Sequence, residues 1–197
     1  MSDMGIAEAQ REMRTRYVGG FYGQLVSGVL WLASAALAVW SGPRLAITSL
    51  VVGGMFIFPA TELLLRAAGA RASLRADNSL RSLGMQVAFV LPLSMPLLLP
   101  VSRYRLTWFY PALMILVGAH YLPFVFLYGM RMFWVLGALL VGLGVLIAMY
   151  WSGTFSVGGW LTGAILLVFA GIGRAIAQRE YRPGTLGADI EPVARPT

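Results

Sequence analysis

From Tyr17 to Pro43 the chain carries no charged side chain, and the same is true from Leu106 to Met130. About 20 consecutive apolar residues are enough for a helix to cross the hydrocarbon of a bilayer. Six apolar stretches can be read along the sequence, at about 18–40, 45–65, 82–101, 106–130, 132–151 and 156–174. Only 12% of the residues are charged, whereas a soluble domain carries about 25%. The pattern predicts an all-α, polytopic integral membrane protein with six transmembrane helices.

Three regions follow from this reading. Residues 1–16 form a polar N-terminal segment rich in helix formers, expected as a short interfacial helix. Residues 17–175 hold the six-helix transmembrane domain. Residues 176–197, with Pro183, Gly184, Gly187, Pro192 and Pro196, read as a flexible tail. Ala36-Leu37-Ala38 resembles a signal-peptide cleavage site, but the apolar run around it exceeds the usual core of about 7–15 residues.

All fifteen basic residues are Arg. Arg11, Arg14, Arg16, Arg66, Arg71, Arg75, Arg81, Arg131, Arg174, Arg179, Arg182 and Arg195 fall on one side of a six-span layout. Arg44, Arg103 and Arg105 fall on the other. Arg is enriched on the cytoplasmic side of membrane proteins, so both termini are expected in the cytoplasm. The net charge of +7 is read as Arg meeting anionic lipid headgroups, with membrane lipids as partners and no nucleic acid. Aromatic residues are expected at the two interfaces: Tyr17, Tyr22, Tyr128 and Trp134 inside, and Trp40, Trp108, Tyr110, Tyr150 and Trp151 outside.

Much chemistry is excluded. There is no cysteine and a single histidine, His120, so no metal site and no cofactor are expected. The chain has no His-Glu-x-x-His and no Gly-x-Ser-x-Gly motif. Asp3, Asp77 and Asp189 all lie outside the spans, which rules out an intramembrane aspartyl pair.

Ionisable residues inside a membrane are functional candidates because burying them is costly. Glu62 and His120 are the two in this chain. Glu62 stands four residues before Arg66, the favourable order for a local ion pair. It is read either as that pair or as a cation or proton site. Gln24, Gln86 and Tyr128 fall at similar depth on other helices and can join Glu62 in one cluster open to the cytoplasm. His120 is nearer the midplane. Pro123 leaves the carbonyl of Ala119 without its helical donor, beside the imidazole. His120 is read as a hydrogen-bonded packing residue or as a relay or binding residue.

The third helix carries Pro92, Pro96 and Pro100 at every fourth position. Broken helices of this kind line sites in transporters; kinked structural helices have the same sequence. Gly19, Gly23 and Ser27 form a small-residue ridge on the first helix, and Gly159 and Gly163 on the sixth. Gly137, Gly142 and Gly144 read likewise on the fifth. Such ridges permit close packing within the chain, between protomers of a homo-oligomer, or against other membrane subunits.

The segment Tyr110-Pro111-Ala112, then Gly118-Ala119-His120-Tyr121-Leu122-Pro123-Phe124 and Leu127-Tyr128-Gly129-Met130, resembles part of a family of small bacterial multi-pass membrane proteins. The resemblance implies a protein of the bacterial inner membrane and carries no activity with it. The leading functional expectation is a transporter-like or ligand-binding protein. Its polar cavity would have Glu62, Gln24 and Gln86 at the mouth, and His120 with the proline-kinked helix at the floor. The alternative is a structural or accessory subunit of a larger membrane complex.

Overall fold

The computed structural model describes residues 5–69, 74–151 and 153–180, and every regular element among them is helical. The helices are α1 (Ile6–Arg16), α2 (Phe21–Trp40), α3 (Pro43–Gly54), α4 (Ile57–Ala67), α5 (Leu80–Ser94), α6 (Leu98–Tyr104), α7 (Phe109–Tyr128), α8 (Met132–Tyr150) and α9 (Val157–Glu180). Single 3₁₀ turns precede α2, join α5 to α6 and precede α7. Among the described residues, five segments are long and apolar enough to cross a membrane: Val18–Trp40, Leu80–Tyr104, Leu106–Tyr128, Met132–Tyr150 and Val157–Arg179. The bent pair α3–α4 makes a sixth if it counts as one span. Helix α9 continues through 176–180, residues that the sequence pattern places in the tail; 181–197 lie outside the described residues.

The second apolar stretch departs from the single helix expected over 45–65. It is two helices bent by 55°. The cause lies in three residues. Pro59 has no N–H to give to the carbonyl of Met55 and its ring crowds that carbonyl. Gly53 and Gly54 lower the helical propensity just before it. The chain therefore tightens, with Met55 and Phe56 donating three residues back to Val52 and Gly53. The third stretch behaves differently. Its prolines give only a 3₁₀ turn at Met95–Leu97, and Leu80–Tyr104 remains one 25-residue span.

Two antiparallel helix pairs make the frame. In α7–α8, a Cβ on Gly118 would stand 2.9 Å from the carbonyl oxygen of Gly137, and the reverse holds for Gly137 against Gly118. Gly144 meets the carbonyl of Pro111 in the same way, at 2.9 Å. Between α9 and α2 with the 3₁₀ turn before it, the reciprocal pairs are Gly28 with Gly163 and Gly19 with Gly173. Lipid offers no hydrophobic drive for helices to associate, so close backbone approach and the dispersion it permits hold such pairs. The glycine ridges thus serve packing within the chain. Gly28 makes the α2 contact that the pattern assigns to Gly23, which faces Thr61 instead, and Gly142 turns away from any neighbour.

The two pairs meet through side chains. Ser34 on α2 donates to the carbonyl of Ala46 on α3 at 2.8 Å and lies 2.6 Å from the hydroxyl of Tyr110 on α7. A hydroxyl has one hydrogen, so Tyr110 donates to Ser34. Tyr110 and Tyr128, at the two ends of α7, are both buried in the core. Trp40, Tyr150, Trp151 and Trp134 stay exposed near helix ends.

Helix α1 is docked on one end of the bundle. Ala9 and Met13 are buried there. Gln10 donates to the carbonyl of Phe126 and Arg14 to that of Tyr128, both at 2.6 Å. The last carbonyls of a helix have no partner within it, so these side chains complete the end of α7. Gly129, at φ 61°, ends that helix in the left-handed conformation. On its other side α1 holds the α4–α5 connection. Glu12 accepts from the backbone N–H of Arg75 at 2.9 Å and from Asn78 Nδ2 at 2.7 Å.

Candidate functional site

Gln24 is the most unusual polar residue in the bundle. It sits one turn into α2 and is 2% exposed, and among the described residues neither Nε2 nor Oε1 has a hydrogen-bond partner. Leaving a buried polar group unpaired costs about 1–3 kcal/mol, so native interiors rarely keep one without a use for it. Gly20 stands beside Gln24, turning the chain into α2 at φ 82°, a left-handed conformation that glycine adopts without steric cost. Phe133, Gln24 Nε2 and the Tyr128 ring stand 3.5, 3.9 and 3.9 Å from where a Gly20 Cβ would be.

Around Gln24 the wall is aromatic. Tyr128 stacks on Phe133 at 5.5 Å, and Tyr17 meets Tyr128 edge-on at 6.5 Å. Phe124 joins Tyr128 and Phe133, each at 5.6 Å. Towards α4, Tyr17 feels Glu62. Burial lifts the Tyr17 hydroxyl above its ordinary 10.0, the negative charge of Glu62 adds to the rise, and Arg81 offsets part of it. Glu62 is half-buried and forms no ion pair with Arg66. The local pairing that their spacing permits is not made.

Gln24, Tyr128 and, through Tyr17, Glu62 are therefore neighbours at the end of the bundle where α1 docks. His120 lies further along α7. It is half-buried and edge-on to Phe124 at 5.2 Å and to Tyr121 at 5.9 Å. Its Nδ1 is buried without a hydrogen-bond partner among the described residues, so that nitrogen does not use the carbonyl of Ala119. The Phe124 ring links His120 to Tyr128.

Gln86 and the prolines stand apart from this group. Gln86 is exposed on α5. Pro92 and Pro96 line a groove of about 360 Å³ with Ile47, Val51, Leu98 and Phe109, towards the opposite end of the bundle. A second groove, about 590 Å³, runs along α8 and α9 past Ile147, Trp151 and Trp160. Neither groove contains Gln24, Glu62, His120 or Tyr128. Of the expected cavity, with Glu62, Gln24 and Gln86 at its mouth and His120 with the proline helix at its floor, Gln86 and the prolines lie apart from the residues gathered under α1.

Several residues were not singled out by sequence. Ser34 gave no signal, being one hydroxyl in an apolar run. Gln10, Arg14 and Glu12 read only as a polar N-terminal segment, because their partners lie more than sixty residues away. No group of three or more His, Cys, Asp or Glu side chains able to hold a metal ion occurs among the described residues.

These features define an all-α protein of long apolar helices, five or six of them able to cross a membrane. The chain belongs to a family of unknown function (DUF7010), whose sequence profile covers residues 6–174. That range starts at the first residue of α1, so the docked helix is part of the family unit together with the Gln24 cluster. No curated protein and no solved structure matches the chain.

Proposed function

We propose that this is a transporter-like or ligand-binding protein of the bacterial inner membrane, with six spans and both termini in the cytoplasm. Its site is the cluster of Gln24, Tyr17, Tyr128 and Glu62, opening to the cytoplasm beneath α1. What supports the reading is Gln24, a buried amide with an unused donor and an unused acceptor. A small polar solute that both accepts and donates would satisfy it. Glu62, not paired with Arg66, favours a solute carrying positive charge, and the aromatic wall suits such a cation. His120, reached through Phe124, extends the same path towards the middle of the span.

The test uses the full chain in proteoliposomes holding a trapped pH-sensitive dye, with thermal-shift measurements against small organic cations and amides. The parent should respond to members of that set. Gln24→Leu and Glu62→Gln should lose the response, and His120→Ala should weaken it. If the variants keep every response of the parent, the reading is dead.

A further inference from the structure

We propose that α5 is a dimerisation helix, and that Gln86 hydrogen-bonds Gln86 of the partner subunit across a two-fold axis. The inference starts from how little α5 is covered. Only 11% of the most apolar stretch of Leu80–Tyr104 is buried, against 28% to 44% in the other four spans. One continuous stripe is open. Gln86, Phe89, Val90 and Leu93 recur at three- and four-residue spacing, which places them on one side of α5, Leu97 follows in the 3₁₀ turn beyond it, and all five are exposed.

Lipid satisfies the four apolar members of the stripe. It does not satisfy Gln86. This residue lies six positions beyond Leu80, about 9 Å along the helix, where hydrocarbon offers no hydrogen bond. Within the described residues its amide bonds to nothing. A primary amide carries both donors and an acceptor, so it is complementary to a copy of itself. A two-fold interface places a residue on its axis against the same residue. Two Gln86 side chains can then exchange hydrogen bonds, and the apolar stripe packs on its own counterpart.

The charges permit this pairing. Arg81 lies about 140° around the helix from Gln86 at 100° per residue, so two copies do not bring their Arg81 side chains together. The more usual small-residue ridges are already occupied inside the chain, Gly28 by Gly163 and Gly118 by Gly137. The α5 stripe offers instead one polar member that is complementary to a copy of itself.

The chain has no cysteine, so single-cysteine variants report contacts directly. Gln86→Cys and Leu93→Cys should form disulfide-linked dimers on copper-catalysed oxidation in native membranes. Leu146→Cys on α8 and Val168→Cys on α9, both exposed, should remain monomers. Leu93→Cys keeps Gln86 and so reports the interface with the amide pair intact. In detergent, light scattering should find the parent dimeric and Gln86→Leu dissociating at a concentration at least tenfold higher. The proposal is overturned if neither α5 variant links above the α8 and α9 controls. It is equally overturned if the linked product has the mass of a different protein, or if Gln86→Leu dimerises as tightly as the parent.

Discussion

The guanidinium of Arg14 donates to the backbone carbonyl of Tyr128 at 2.6 Å, and so ties the N-terminal helix to the residue that walls the Gln24 cluster. Removing the tether should loosen α1 without unfolding the bundle. Hydrogen bonds to charged groups contribute about 1.5–3 kcal/mol, and partial exposure places this one at the lower end. Arg14→Ala should therefore speed amide exchange in 6–16 by about tenfold. Exchange in α7 and α8 should stay unchanged. Hydrogen exchange with mass spectrometry distinguishes the two regions.

The far side of α1 should respond to pH. Arg75 holds the Asp77 carboxyl below its ordinary 3.8, chiefly through their hydrogen bond, and the guanidinium also lies 3.6 Å from Glu8. A depressed carboxylate contributes stability that is present above its unfolded value and lost as pH falls through the folded one. Protection of α1 should be level from neutral pH down to about 4 and then decline. In Asp77→Asn that decline should shrink. The groups are exposed, so added salt should reduce the effect.

Ser34 and Tyr110 should be energetically coupled. Ser34→Ala strands the buried Tyr110 hydroxyl, whereas Tyr110→Phe leaves Ser34 its bond to Ala46. The first change should cost more than the second. Their coupling in a double-mutant cycle should be about 0.5–2 kcal/mol. Equilibrium unfolding in mixed micelles measures it, and purely additive effects would remove the hydrogen bond from the account of how α2 holds α7.

Two glycines on one helix should behave oppositely. A Cβ on Gly137 meets the Gly118 carbonyl, while a Cβ on Gly142 meets nothing within 4 Å. Gly137→Ala should force α7 and α8 apart and destabilise by about 1–3 kcal/mol. Gly142→Ala should be neutral, or stabilising by up to about 1 kcal/mol through helix propensity. Melting temperatures of the two variants are the readout.

The apolar runs were legible because length and hydropathy alone identify them. Helix rotation was not. Gln24 and Gln86 are each a single amide in an apolar helix, and nothing local says that Gln24 turns into the core while Gln86 turns out. Only the neighbours decide, and for Gln24 they include the Tyr128 and Phe133 rings that gather around Gly20. The break in the second stretch was written in Gly53, Gly54 and Pro59, but uniform hydropathy across them hides it. The docking of α1 depends on residues that become adjacent only after the bundle closes.

The bend between α3 and α4 has an electrical consequence. A helix presents roughly half a positive elementary charge at its N-terminus and half a negative one at its C-terminus. An unbroken span keeps these poles at the two water-facing boundaries. Here the α3 C-terminus at Gly54 and the α4 N-terminus at Ile57 fall in the interior of the apolar stretch. The second stretch thus carries a pair of opposite partial charges in the middle of its apolar sequence, built entirely from peptide groups and needing no ionisable side chain.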